Sequence, residues 1–219
     1  MYLRSIVLLF FVFVVTDQNY GQVYYDIEMY KTKEDFVKGH FTSSKAMRKN
    51  MFVKRDKTWA DIVTDNVLFY LPADKKLKKT FAVRCDDQLY FQVSSIMKHR
   101  EKGDKVQNIN NPHSYIRVIG KGKYHYMETV SSNSWGQGFS ANLGAIGALA
   151  IDPYKLTGIV YMPEEGHFNI FRNCKDFNKF LGEHYSSYGD VECERKKISV
   201  ETVRNVMREV DESFVLEER

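Results

Sequence analysis

The sequence lacks the patterns that usually identify an enzyme or a cofactor site. It contains no G-x-S-x-G elbow, P-loop, H-E-x-x-H motif or EF-hand loop. Its six histidines are scattered, and Glu165 and His167 are close only beside a predicted turn. Gly136 and Gly138 resemble part of a dinucleotide-binding loop, but the third glycine is misplaced. The sequence therefore predicts no catalytic residue, no cofactor and no metal ligand.

The chain also lacks an apolar run of the ~20 residues that a membrane-spanning helix needs. The run Ser5 to Val15 is shorter, follows Arg4, and precedes a polar segment that ends at Gly21. That order is typical of a secretory signal peptide, with an uncleaved N-terminal anchor as the alternative. We predict a signal peptide over residues 1–21 and one domain over residues 22–219. The mature protein is then periplasmic, in the outer envelope, or secreted.

Cysteine is scarce, with three in the whole chain. In an oxidising compartment, Cys174 and Cys193 are close enough in sequence to form a disulfide across a loop rich in Gly, Ser and Tyr. Two buried thiols are the alternative. Cys85 lies in a strand-like run, Phe81 to Cys85, and is interpreted as a small core residue.

Strong charge of either sign is absent, since the formal net charge is +4 and the basic residues are dispersed. This excess would help adhesion to an anionic surface but does not require it. Together with export, it argues against a nucleic-acid partner. The sequence leaves the partner unknown, with an envelope protein or a membrane surface as the candidates.

The segment 136–151 (GQGFSANLGAIGALAI) is apolar, uncharged and rich in Gly and Ala. It is too short to span a membrane. We expect Ala145 to Ile151 to pack in the core and Ser131 to Phe139 to be exposed. The alternative is contact between residues 131–151 and a membrane or partner. That contact would be made by Trp135, Phe139, Leu143 and Ile146.

The rest of the chain alternates strand patterns with a few helix signals. Two hairpins are predicted, one around Asp86 and Asp87 and one around Gly120 to Gly122. Ser43–Ser44 is predicted as a loop, and Asp152 to Gly158 as a turn. Three residues are expected to be N-caps of helices. Thr32 precedes one short helix, and Asn173 and Ser199 precede two helices near the C-terminus. The predicted fold is α+β, with a mainly antiparallel twisted sheet or partial barrel and two C-terminal helices.

Several stretches carry a family resemblance. They are the signal ending in Y-G-Q, the segment Tyr30 to Phe36, the Gly/Ala insert, the turn Asp152 to Gly158, and Asn173 to Leu181. With them the chain resembles uncharacterised exported proteins of Bacteroidota. The resemblance implies an envelope or secreted location and transfers no catalytic residue.

The functional prediction is a non-catalytic binding or interaction module. The alternatives are a periplasmic hydrolase with a dispersed site and a membrane-contacting protein that uses residues 131–151. A cleft that holds His125 or His167 beside carboxylates would favour the hydrolase. A sheet face with aromatic patches would favour binding.

Overall fold

The computed structural model describes residues 23–53, 62–101, 111–132, 154–193 and 198–217. The predicted signal segment, residues 1–21, lies outside these ranges. The strands are β1 Tyr25–Tyr30, β2 Thr42–Val53, β3 Ile62–Leu71, β4 Lys75–Lys76, β5 Ala82–Cys85, β6 Gln88–Gln92, β7 Tyr115–Lys121, β8 His125–Ser132, β9 Tyr154–Met162, β10 His167–Phe171 and β11 Val215–Leu216. The helices are α1 Lys33–Val37, α2 Val93–Lys98, α3 Cys174–His184 and α4 Val200–Val210.

Six antiparallel strands form a closed barrel in the order β7-β6-β5-β1-β2-β3. The barrel closes where Val67 of β3 pairs with Tyr115 of β7. Apolar side chains at alternate strand positions point inward, as the two-residue period of a strand requires. The interior core consists of Ile27, Ala46, Val67, Phe69, Leu77, Val83, Cys85, Tyr90 and Tyr115. The α+β class and the predicted sheet or partial barrel are confirmed.

Strand β7 leaves the barrel and continues into a second sheet. Its later residues pair with β8 and β11, and β9 and β10 follow outward from β8. The register of β7 against β8 shifts between Val118 and Gly120, which marks a bulge. Val118 and Ile119 point to opposite faces of the sheet, as the two-residue period of a strand requires, and they belong to different cores.

The second sheet is buried on both faces. On β9, Ile159 and Tyr161 face the barrel, while Val160 and Met162 face the helices. The helical face is covered by α3 and α4, through buried residues such as Phe180 and Met207. The molecule is therefore layered as barrel, sheet and helices.

All three predicted helix caps are confirmed. Thr32, Asn173 and Ser199 each accept a hydrogen bond from the backbone N–H three residues later. Such a bond satisfies a donor that the first helical turn leaves unpaired. The caps therefore define where α1, α3 and α4 begin.

Three local predictions are corrected. Ser43 and Ser44 lie within β2 and pair with Glu28 and Ile27 of β1, because sheet pairing overrides local turn preference. The predicted turn, Asp152 to Gly158, enters β9 at Tyr154. The third correction is helix α2, where the sequence predicted no helix.

Gly158 lies inside β9 for a packing reason. A Cβ at this position would be 3.1 Å from two atoms of the Tyr126 ring. The Tyr126 ring on β8 therefore packs directly against the backbone of β9. The glycine permits this close approach and does not form a turn.

The predicted disulfide between Cys174 and Cys193 is present, and Cys85 is a buried free thiol. The bond ties the first residue of α3 to the segment that follows this helix. A structural disulfide indicates a non-cytoplasmic environment. Within the described residues, no helix has the length and apolar character needed to cross a membrane.

A buried ion pair attaches α4 to the second sheet. Glu128 of β8 has no exposed side-chain surface, and Arg204 of α4 donates to both of its carboxylate oxygens. Tyr126 donates a further hydrogen bond to Glu128 Oε1 at 2.8 Å. Burial, followed by the nearby Glu128 charge, raises the pKa of Tyr126 well above its usual value. Tyr126 therefore remains a neutral donor.

We predict that Arg204→Met lowers the free energy of unfolding by about 3 kcal/mol, because it leaves the Glu128 carboxylate buried without its cation. Urea denaturation at neutral pH measures this loss. Arg208→Met is the matched control, since Arg208 lies on the same helix and its hydrogen bond to Asn205 is exposed. Equal stabilities for the two variants would contradict the assigned role of the ion pair.

Candidate ligand-binding site

Most buried polar side chains form structural hydrogen bonds. In the barrel, Thr80 Oγ1 lies 2.6 Å from the Tyr115 hydroxyl, and Gln92 Nε2 donates to the same hydroxyl at 3.2 Å. Outside the barrel, Asn66 Nδ2 of β3 donates a hydrogen bond to Thr129 Oγ1 of β8 at 3.1 Å. These bonds satisfy groups whose burial would otherwise be costly, so they have a structural explanation.

Two neighbouring polar atoms are exceptions. His125 Nδ1 and the Tyr161 hydroxyl are buried, and neither has a hydrogen-bond partner within the described ranges. Their residues pair directly across β8 and β9, with stacked rings whose centroids are 6.2 Å apart. Other partnerless buried atoms are on Gln88 of β6, on Tyr185 just after α3 and on Glu217 just after β11, in three separate parts of the fold. Only the first two are register partners.

The two residues belong to a group of stacked and edge-on rings that we call the aromatic cluster. It lies between the barrel and the second sheet. Its members are Tyr30, Phe36, Phe81, Phe91, His125, Tyr161 and Phe168. Tyr161 is central, with centroid distances of 4.7 Å to Phe168 and 4.9 Å to Phe91. Such distances are typical of favourable aromatic pairs.

Helix α1 covers the cluster through Phe36. The Phe36 ring lies 5.3 Å from Phe91, 5.8 Å from Tyr161 and 6.5 Å from His125. Phe36 is partly buried, and the helix itself contains no fully buried residue. One partly buried ring therefore separates the two partnerless polar atoms from the outer surface of α1.

Both polar side chains are uncharged at neutral pH. Burial, assisted by the charges of Lys121 and Arg84, lowers the pKa of His125 to about 4. Burial, followed by the charge of Glu34 on α1, raises the pKa of Tyr161 to about 12. A neutral imidazole offers one donor and one acceptor nitrogen, and a phenol offers both functions on one oxygen. The site is therefore suited to hydrogen bonding with an uncharged group.

His99 and Lys33 lie close to the aromatic cluster. His99 lies beside Phe81, with ring centroids 5.6 Å apart, and burial lowers its pKa, as do Lys98 and Lys33. The side chain of Lys33 crosses Gly166, where a Cβ would lie 2.9 Å from Nζ. Positive φ and this contact together favour glycine at position 166.

A second set of titratable side chains lies close together at the surface near the end of α3. Glu165 is 3.6 Å from His167 Nε2 and 3.5 Å from His184 Nδ1. The hydroxyl of Tyr124 is 3.3 Å from the same Nδ1. In a catalytic triad the acid and the nucleophile use opposite imidazole nitrogens. Here Glu165 and the Tyr124 hydroxyl approach the same nitrogen, His184 Nδ1, so the geometry does not form a triad.

The described ranges contain no group of three or more His, Cys, Asp or Glu side chains that could hold a metal ion. The predicted contact residues Trp135, Phe139, Leu143 and Ile146 lie outside the described residues, as does the apolar segment 136–151. Their role in membrane or partner contact stays a prediction.

Sequence reasoning did not find the aromatic cluster. Phe36 and His125 lie far apart in the sequence, and no residue pattern indicated that they meet. The available signal was the abundance of aromatics, 15 Phe and 14 Tyr in the chain. Composition alone does not indicate which rings meet.

We predict that His125 makes the stability of the protein dependent on pH. Its pKa in the folded state is about 4, below its ordinary value of 6.5, so the unfolded chain binds more protons between these values. The stabilising contribution is fully present above pH 6.5 and is lost as the pH falls towards about 4. Urea unfolding of wild type and His125→Phe measures it, and the variant should have the flatter profile. An NMR titration that finds the folded His125 imidazole protonating near 6.5 would refute this.

Comparison with protein-family models, curated proteins and solved structures found no match for this chain.

Proposed function

We propose that this protein is an exported, non-catalytic binding module of the cell envelope or the extracellular space. The observation that carries the binding role is the pair of buried polar atoms, His125 Nδ1 and the Tyr161 hydroxyl, held without partners in an aromatic cluster.

Two independent features of the chain support export. Residues 1–21 have the order of a secretory signal peptide. The disulfide between Cys174 and Cys193 suits an oxidising compartment, since such bonds are rare in the cytosol.

The binding role is supported by the free-energy cost of leaving His125 Nδ1 and the Tyr161 hydroxyl buried without hydrogen-bond partners. A buried donor or acceptor without a partner costs about 1–3 kcal/mol. A chain under selection for stability alone would have Phe at position 161, where the hydroxyl contributes no bond in the described part of the protein. Polar atoms kept at such a cost are typical of sites that pair with a ligand.

Catalysis is less well supported by the same surroundings. A nucleophile needs an adjacent base and a group that orients the base. His125 packs against the rings of Phe91 and Tyr161, and the Tyr161 phenol, with a pKa of about 12, is a poor nucleophile at neutral pH. The thiol of Cys85 is buried in the barrel core, and burial raises its pKa to about 11.

We predict that Tyr161→Phe leaves the free energy of unfolding unchanged or raises it by about 1 kcal/mol, since it removes an unpaired hydroxyl. Tyr126→Phe is the matched control. This second tyrosine is equally buried on the neighbouring strand, but its hydroxyl donates to Glu128, so its removal should cost about 2 kcal/mol. Urea denaturation of both variants gives the comparison. A loss for Tyr161→Phe as large as that for Tyr126→Phe would mean that its hydroxyl has a structural role, and the binding proposal would lose its main support.

We also predict the state of the exported protein. When the full chain is expressed in a bacterial host, the periplasmic or secreted product should begin at Gln22. Its unreduced digest should contain a peptide that links Cys174 to Cys193. Mass spectrometry measures both features. Product found only in the cytoplasm with its first residues intact would contradict export, and free thiols at both positions would contradict the disulfide.

A further inference from the structure

Resting on the binding role proposed above, we propose that the aromatic cluster binds a small, uncharged aromatic molecule that carries a hydroxyl. Phe36 of α1 occupies the position of the ligand ring when the site is closed.

The surroundings of Phe36 define the shape of the ligand. Its ring touches the rings of Tyr30, Phe81 and Phe91 on the barrel side, at centroid distances of 5.2, 5.6 and 5.3 Å. On the side of the second sheet it touches His125 and Tyr161. A single aromatic ring is thus already accepted between the two layers, in edge-to-face and tilted geometries that another ring would reproduce.

The covering helix is suited to displacement. Helix α1 has five residues and no fully buried side chain. Its capping box, between Thr32 and Asp35, is internal to the helix, so those two bonds would survive as it moves. The exposed Val37 lies on the same short helix and does not anchor it. The attachment of α1 to the cluster therefore depends mainly on Phe36.

The polar atoms define the chemistry of the ligand. A hydroxyl can donate one hydrogen bond and accept another, so it can pair with His125 Nδ1 and with the Tyr161 hydroxyl together. Phe36 fills the space between the layers but pairs with neither atom. An uncharged ligand is favoured, because burial among rings penalises a charged group. A phenol-like group satisfies both conditions.

The inference is tested with 4-methylphenol as the probe and toluene as the matched probe without a hydroxyl. Both are titrated by calorimetry into residues 22–219 of the wild type, Phe36→Ala and Val37→Ala. We expect Phe36→Ala to bind 4-methylphenol about tenfold more tightly than wild type, because the competing ring is gone. It should prefer 4-methylphenol over toluene by about tenfold. Val37→Ala should match the wild type, since its side chain is exposed.

The double change His125→Phe with Tyr161→Phe should abolish the preference for 4-methylphenol, because it removes both polar atoms and keeps the apolar walls. A folded Phe36→Ala variant that binds neither probe, or that binds both equally, would overturn the inference. Phe36→Leu, which keeps apolar contact with a smaller side chain, replaces Phe36→Ala if the latter does not fold. If neither variant folds, the wild type decides: His125 ring-nitrogen resonances that do not respond to saturating 4-methylphenol would also overturn it.

Failure of this inference is distinguishable from failure of the binding role. If Tyr161→Phe stabilises the protein but 4-methylphenol does not bind, the ligand class is wrong and the binding role stands. If Tyr161→Phe destabilises the protein as strongly as Tyr126→Phe, the binding role itself loses its support.

Discussion

Strand β7 is the constraint on which the rest of the structure depends. Its first residues, Tyr115 to Arg117, complete the barrel between β3 and β6. Its later residues begin the second sheet, where they pair with β8 and β11. Its consecutive side chains alternate between the two faces, so Val118 and Ile119 belong to different cores. One strand thus sets both the separation and the orientation of the two layers, and the aromatic cluster lies in the space between them.

Strand β8 shows how differently two faces of one strand can be used. Towards the helices, Tyr126 and Glu128 form a satisfied network with Arg204, and the two bonds from Arg204 stabilise the docking of α4. Towards the barrel, His125 is left with a buried nitrogen that has no partner in the described part of the chain. A satisfied buried network specifies a structure, whereas an unsatisfied group costs stability and is typical of a functional site. The contrast within a few residues of β8 is the physical basis for assigning a structural role to one face and a binding role to the other.

Much of the fold was predictable because its signals are local. The caps at Thr32, Asn173 and Ser199 follow from short side chains that satisfy the first helical turn. The disulfide followed from two cysteines on either side of one short loop. The errors at Ser43 and Tyr154 arose where pairing with a distant strand outweighed the local preference for a turn. The candidate site was not predictable, because it needs contacts between α1, the barrel and β8 that no local pattern encodes.

By itself, the sequence determined the α+β class, the starts of α1, α3 and α4, the hairpins and the disulfide pairing, because each depends on neighbouring residues or on simple periodicity. Only the tertiary structure decided that the barrel closes through β3 and β7, and that Phe36 lies against His125 and Tyr161. These residues are far apart in the chain, and their meeting depends on strand register. Register is a property of whole sheets, in which a shift of one residue would turn each of these side chains to the opposite face.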